Sequence, residues 1–472
     1  MTFADSLQRY SENIAIITES GQEISYAGLD ERIDDFAESV ASTSTNQGSE
    51  FSSKQLIFLS AGNNLASIIA YLYCLKKRHA VMLINPDLFE DKSQAWLDQL
   101  MQCYRPNALI KTDCSEPAYH SLSSDPLTLH DDLALLLSTS GSTGSPKQVR
   151  LSYTNIQSNA DSITLFLGLS QTERAITTLP LHYSYGLSVL NSHLSVGASI
   201  VLNEHSIVTR DFWNLFKEQA VTSFSGVPFM YETLRKIRFE GMDLPSLRYM
   251  TQAGGKLHSD AVRYFSDLLA SKGQRFYVMY GQTEATARMA YLPLKDLSKH
   301  PDSIGIAISG GTFIIENGDG EIISEPDKVG ELIYQGPNVM LGYALTRVDL
   351  KKGSEPSVLR TGDMAYKDKQ GLFYITGRQS RIIKLFGTRV DLDDVEKRLA
   401  EQGWQTFCIG SDNKLGVACI DESHLGLITQ FLRDYFQFHH TVIFVEYISA
   451  LPRTSNGKIC YLDLKNKMAS FG

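Results

Sequence analysis

A chain of 472 residues exceeds what one small hydrophobic core can organise and calls for two or three domains. Hydrophobic residues make up 43% and charged residues 21%, in short separated runs, which excludes a disordered or fibrous chain. A formal charge of −9 argues against a nucleic-acid partner held by a basic surface.

The opening MTFADSLQRYSE has neither the basic start nor the apolar middle of a secretory signal. The longest apolar stretch, 66–75, falls well short of the ~20 residues a membrane helix needs, so it predicts a buried helix and no membrane partner. Cys74, Cys103, Cys114, Cys408, Cys419 and Cys460 show neither CxxC nor Cys/His spacing. Reduced thiols in a cytoplasmic protein are expected, without a disulfide framework or a zinc site.

In chain order, 42–53 is rich in Ser, Thr, Asn and Gly and predicts a loop. Short apolar runs then predict strands over 56–59, 80–84, 133–137, 175–179, 199–202, 247–251 and 275–280, with helices over 155–167 and 260–270 among them. Such alternation implies α/β layers with largely parallel sheets. A polar stretch at 297–302 predicts a second loop. Beyond 303, β-rich segments at 312–316, 321–324, 329–335 and 371–376 are separated by Gly and Asn-Gly turns and predict a small antiparallel subdomain. A boundary is expected near 376–380. Past it come a strand at 382–385, an Asp391 N-cap opening a helix to 401, strands at 405–409 and 415–420, a helix over 425–436 and a strand over 442–447. The fold expected is α/β, with a large N-terminal domain (1–378) of two α/β-layered subdomains plus a small antiparallel β subdomain. A small α+β C-terminal domain (379–472) follows.

The most informative stretch follows the apolar strand at 133–137: Ser138, Thr139, Ser140, Gly141, Ser142, Thr143, Gly144, Ser145, Pro146 and Lys147. Glycines let backbone amides approach an anion, hydroxyls donate further hydrogen bonds, and the lysine adds charge. The pattern suits a phosphate but lacks the GxxxxGK[ST] order of a Walker loop, and by itself also suits a polar loop without a ligand.

This loop resembles the phosphate-binding signature of the adenylate-forming superfamily, which includes acyl-CoA synthetases, nonribosomal-peptide adenylation domains and luciferases. Further matches follow in the family's order. Tyr280, Gly281, Gln282, Thr283 and Glu284 close a strand, where a hydroxyl and a carboxylate suit a magnesium–phosphate contact. The resemblance implies Tyr280 against adenine, Thr283 on phosphate and Glu284 on the metal. Gly254, Gly255 and Lys256, in QAGGK, are implied in the adenine pocket. Asp363 in RTGD is implied on the ribose hydroxyls, and Arg378 on ribose or phosphate. Residues 377–396 resemble the family's hinge and the loop after it, although Ser380 stands where Asp or Lys is usual. Gly387 and Arg389 are implied beside a thiol channel, and Lys458 in LPRTSNGKI is implied to reach the substrate carboxylate and α-phosphate.

From this resemblance the chain is expected to use ATP and Mg2+ to turn a small-molecule carboxylic acid into an acyl-adenylate, the C-terminal domain then rotating to admit a thiol. CoA is the first expectation for that thiol. The phosphopantetheine of an acyl carrier protein is the second, because IKLFGTRVDLDDVE also resembles D-alanine–carrier protein ligases. A nucleotide-binding relative without ligase activity is the third. The acyl pocket is expected to draw on His182, Tyr183, Tyr185, Gly186 and Val227. No acid lies between Leu179 and Leu190 to pair with an ammonium, which disfavours an α-amino acid.

Overall fold

Ten consecutive buried residues, Ala66 to Leu75, leave the helix Leu65–Lys76 no solvent face, so it lies inside the protein between layers. Asn64 caps it by accepting from the Ser67 amide, 2.8 Å. The computed structural model describes residues 2–46, 53–89, 94–112, 116–122, 128–138, 146–385, 388–411, 413–436, 438–453 and 459–470. By contact density the chain divides into two units, Met1–Thr312 with Tyr334–Leu359, and Phe313–Ile333 with Arg360–Gly472.

The first unit carries two sheets. One orders Gly342–Ala344, Gln148–Ser152, Leu133–Ser138, Ala80–Ile84, Leu56–Ser60, Ala108–Lys111 and Ala118–Ser121, with its four central strands parallel. The other runs Ile306–Ala307, Ala290–Tyr291, Arg275–Tyr280, Tyr249–Gln252, Ser223–Gly226, Arg174–Ile176, Ser199–Val201, Ile14–Ile17 and Glu23–Ser25, parallel from Arg275–Tyr280 through Ile14–Ile17. Central strands such as Leu56–Ser60 and Ala80–Ile84 are buried along their whole length, the burial that helices on both faces of a parallel sheet produce. Helices Tyr153–Leu167 and Ser259–Ser271 form where the apolar period places them. Ser152 opens the first with a capping box and Gly168 closes it in a left-handed conformation.

The second unit holds a four-stranded sheet of Thr312–Glu316, Gly330–Gln335, Leu359–Lys367 and Phe373–Arg378, whose last two strands pair antiparallel. It also holds the hairpin Ile382–Leu385/Thr388–Asp391 and a three-stranded sheet, Thr406–Ser411, Lys414–Cys419 and Ile443–Tyr447. Val395, Leu399, Cys408, Val417, Ile428 and Leu432 form one core cluster of this unit, and Ile409, Ala418, Leu464 and Met468 a second. Asp391 caps the helix Leu392–Glu401 as expected.

This is the α/β architecture expected, with three local differences. The helix Tyr26–Asn46 runs into the segment read as a loop at 42–53, because its apolar stripe (Leu29, Ile33, Phe36, Val40) packs inward and carries the polar end with it. Residues 321–324 make only an isolated bridge, Glu316 to Ile322, instead of a strand. The strand Leu359–Lys367, which contains RTGD, was concealed by its charged and glycine residues. No described helix is long and apolar enough to cross a membrane.

Arg150 ties the first sheet to the segment after it. Its side chain is wholly buried, with Nε donating to the Tyr343 carbonyl (3.2 Å) and Nη2 to the Leu341 carbonyl (3.0 Å). Nη1 donates to the Lys352 and Gly353 carbonyls, and Nη2 pairs with the Glu355 carboxylate. Truncation would leave several carbonyls unpaired, so Arg150→Ala should lower the unfolding free energy by ~3 kcal/mol or more, read as a fall in urea midpoint at unchanged m-value.

Candidate active site

The strand Leu133–Ser138 is buried until Ser138, which is exposed at its end. Residues 139–145, which include Thr139, Ser140, Gly141, Ser142, Thr143 and Gly144, lie outside the described residues. The chain returns antiparallel with Gln148 opposite Ser138, which sets Lys147 at the strand's end. Tyr104 anchors this return, its hydroxyl donating to the Pro146 and Ala344 carbonyls at 2.8 and 2.7 Å.

Lys147 Nζ sits 3.6 Å from the centre of the Tyr343 ring. The Tyr343 hydroxyl in turn donates to Glu284 Oε1 at 2.9 Å. Burial, with the Glu284 charge beside it, pushes the Tyr343 phenol well above its ordinary range, so it stays a donor and orients the carboxylate. Sequence reasoning named Lys147 and Glu284 and missed the tyrosine that links them. One aromatic in an ordinary strand carries no local signal.

Glu284 lies on a sharply folded loop after the strand Arg275–Tyr280. A Cβ at Gly281 would overlap the Ala287 carbonyl, so only glycine allows the loop to turn back there. Thr286 is held in a left-handed conformation (φ 66°), strained for a β-branched residue, and its hydroxyl is fixed on the Asn338 carbonyl at 2.8 Å. Asn338 Nδ2 donates to Ala285 O at 2.8 Å, and the Met340 amide donates to Glu284 O at 2.9 Å. Thr283 Oγ1 meets Ser184 Oγ at 3.2 Å, and Gln282 Nε2 donates to Tyr280 Oη at 3.3 Å. Magnesium takes one or two carboxylates and completes its shell with phosphate oxygens and water. A single oriented Glu284 next to the Thr283 hydroxyl fits that ion when a nucleotide brings the phosphate.

The strand Tyr249–Gln252 ends in the QAGGK turn, which Gln252 closes by donating from Nε2 to Gly255 O at 2.7 Å. Gly254 there has φ 85°. Lys256 points out of the turn, exposed and 3.7 Å from Asp302. Of the residues expected at the acyl pocket, Tyr183, Tyr185, Gly186 and Val227 are all buried. A side chain at Gly186 would overlap the Pro180 carbonyl, which lets the helix Ser184–Leu194 start close against its own lead-in. Gly186 lines a small apolar cleft with Thr178, Leu179, Leu181 and Val189. His182 has Nδ1 3.2 Å from Ala61 O, and burial depresses its pKa, so the ring is neutral.

One buried charge was not foreseen. Arg288 is 2% exposed, with its guanidinium carbon 5.1 Å from the centre of the Tyr185 ring. Its Nε and Nη1 have no hydrogen-bond partner among the described residues. A desolvated cation–π contact contributes ~2 kcal/mol, less than the several kcal/mol that burying an ion costs. The sequence signal was a single arginine inside the run ATARMAYL, whose other residues apart from Thr286 are apolar.

In the second unit, the antiparallel pair that sets Asp363 opposite Arg378 places Arg378 Nε 2.9 Å from Asp363 Oδ1. Asp363 is 2% exposed, and the arginine offsets the desolvation of its carboxylate. Gly387 and Lys458, and the side chains of Ser380 and Arg389, lie outside the described residues.

Residues 98–344 match the model of the AMP-binding enzyme family. The chain is 27% identical to a 2-succinylbenzoate–CoA ligase of Listeria monocytogenes over 421 residues, 86% of this chain and 82% of that one. It is 32% identical to an oxalate–CoA ligase of Arabidopsis thaliana over 273 residues, 56% of this chain and 52% of that protein. Its fold matches the AMP complex of the o-succinylbenzoate CoA synthetase of Bacillus subtilis with TM-score 0.77 at 23% identity, covering 98% of each chain. An ATP-bound structure from Rhodopseudomonas palustris matches with TM-score 0.77 at 19% identity over 100% of each chain. The chain therefore belongs to the AMP-binding enzyme family, within the adenylate-forming superfamily. Its class is that of the AMP-forming acid–thiol ligases.

Gly281→Ala tests the loop geometry. Overpacking of this kind costs ~1–3 kcal/mol, and the variant should melt at lower temperature and lose acid-dependent AMP formation, with Gly281→Ser behaving alike.

Proposed function

We propose that the chain activates a small-molecule carboxylic acid with ATP and passes the acyl group to CoA. The arrangement that carries this reading is Glu284, oriented by Tyr343 beside Lys147 at the end of the Arg275–Tyr280 strand. A carboxylic acid with pKa near ~4–5 is ionised at neutral pH, so attack on the α-phosphorus needs no protein base. The site's task is to bring two anions together and neutralise charge on the phosphoryl group.

Within that task Lys147, the amides and hydroxyls of the 138–145 loop and Lys458 supply positive charge and donors, and Thr283 contacts phosphate. Mg2+, when bound with the nucleotide at Glu284, adds Lewis-acid stabilisation of the phosphoryl oxygens. Tyr280 and the Gly254–Gly255 turn receive the adenine, and Asp363 and Arg378 the ribose. Residues 379–472 act as the mobile domain, and Gly387 and Arg389 border the thiol's path. Relatives described as CoA ligases support CoA as the acceptor. The five described cysteines are free thiols, which fits a reducing compartment such as the cytoplasm.

Lys458→Ala should cut acid-dependent pyrophosphate exchange by ~10²–10³ while nucleotide affinity is retained. Near-normal exchange in that variant would remove Lys458 from the first step. Asp363→Ala should chiefly raise the KM for ATP, since the interaction it removes is present in both ground and transition states. AMP release driven by CoA, set against release driven by a phosphopantetheinyl carrier protein, identifies the acceptor.

A further inference from the structure

We infer that Arg288 recognises a second carboxylate on the acid substrate, so that the acid this enzyme activates is a dicarboxylate. The inference rests on the reading that the loop bearing Thr283 and Glu284 is where the acid reacts. Arg288 follows that loop by four residues, and its backbone is fixed there, with its carbonyl accepting from Asn159 Nδ2 at 2.8 Å and Asn338 Nδ2 at 3.2 Å. From that fixed backbone the side chain enters the interior, where the residue is 2% exposed.

Among the described residues, the groups that face the guanidinium are neutral. It lies over Tyr185 and within electrostatic reach of Tyr249 and His193. Both phenols are held protonated by burial, and the Tyr185 hydroxyl is engaged with Thr251 Oγ1 at 2.8 Å. His193 is neutral at physiological pH, its pKa lowered to about 4 by burial, with its ring nitrogens on Val189 O and Tyr249 Oη. Two donors of a buried cation thus face neutral groups, with no hydrogen-bond partner among the described residues.

The position of this charge relative to the reaction is set by two consecutive residues at the start of one helix. Ser184, the first residue of the helix Ser184–Leu194, meets Thr283 at the proposed phosphate end, and the adjacent Tyr185 stacks on Arg288. An acid whose reacting carboxylate lies by Thr283 and whose skeleton runs along this helix toward Tyr185 would bring a second carboxylate to Arg288. Pairing there removes the desolvation penalty that the free enzyme carries, which makes the second carboxylate a source of selectivity.

The test compares acids of matched skeleton, glutarate with valerate and phthalate with benzoate, by hydroxamate trapping in wild-type enzyme, Arg288→Met and Arg288→Lys. Wild type should favour at least one diacid over its monoacid partner by ~10²-fold or more in kcat/KM. Arg288→Met should abolish or invert that ratio, and Arg288→Lys should keep part of it. Without ligand, Arg288→Met should melt no lower than wild type, because an unpaired buried charge has been removed. The preferred diacid should raise the melting temperature of wild type and leave that of Arg288→Met unchanged. If Arg288→Met does not fold, the arginine is structural and the inference fails unless Arg288→Lys shows the reduced diacid preference. Activation of monoacids alone, or a diacid preference unaltered in either variant, overturns the inference and leaves the ligase reading intact. Absence of AMP formation with every acid overturns both.

Discussion

The backbone contact at Gly281 is the constraint from which the proposed chemistry follows. Because no Cβ stands between residue 281 and the Ala287 carbonyl, the chain folds back within seven residues of the Arg275–Tyr280 strand. That reversal presents Thr283 and Glu284 at one edge of the loop and sends Arg288 inward from the other. The strain at Thr286 is tolerated because Asn338 and Met340 hold the loop at several points. The segment between the strands Gly330–Gln335 and Gly342–Ala344 thus over-determines a turn that its own residues would not hold.

Charge is distributed in this unit according to what water can reach. Glu284 and Lys147 are partly accessible and are linked through a phenol, an arrangement that keeps the carboxylate available to a metal–nucleotide complex instead of neutralising it in a direct ion pair. Asp363, almost fully buried in the other unit, has a direct arginine partner. Arg288 has the burial of Asp363, and its Nε and Nη1 have no hydrogen-bond partner among the described residues. Buried charges in proteins are paired or functional, and of the two buried here, Asp363 and Arg288, only Asp363 has an ion-pair partner among the described residues.

The scaffold also separates load from chemistry. Arg150 gathers the carbonyls of 341, 343, 352 and 353 and the Glu355 carboxylate, fixing the segment that supplies Tyr343. The same strand begins just past residue 145, so one arginine couples its start to the residue that orients Glu284. Loops that carry binding groups are commonly mobile. Here the two ends of the site are tied by strands and by a fully buried side chain.

Local order fixed much of this protein in advance. Apolar runs of four to six residues marked the buried strands at 56, 80, 133 and 275, since a parallel strand covered on both faces needs no alternation. The ordered motifs from Ser138 to Lys458 identified the superfamily, because glycines, hydroxyls and a carboxylate at strand ends are what a nucleotide requires. Tertiary structure alone decided the rest. Tyr343 reaches Glu284 from 59 residues away, and no periodicity reports a contact of that separation. The helix end at 42–46 is set by packing of the residues before it, against its own polar composition. Arg288 looked like one more charge in the chain until the fold buried it among neutral rings, since burial and the absence of a partner are properties of surroundings that distant segments supply.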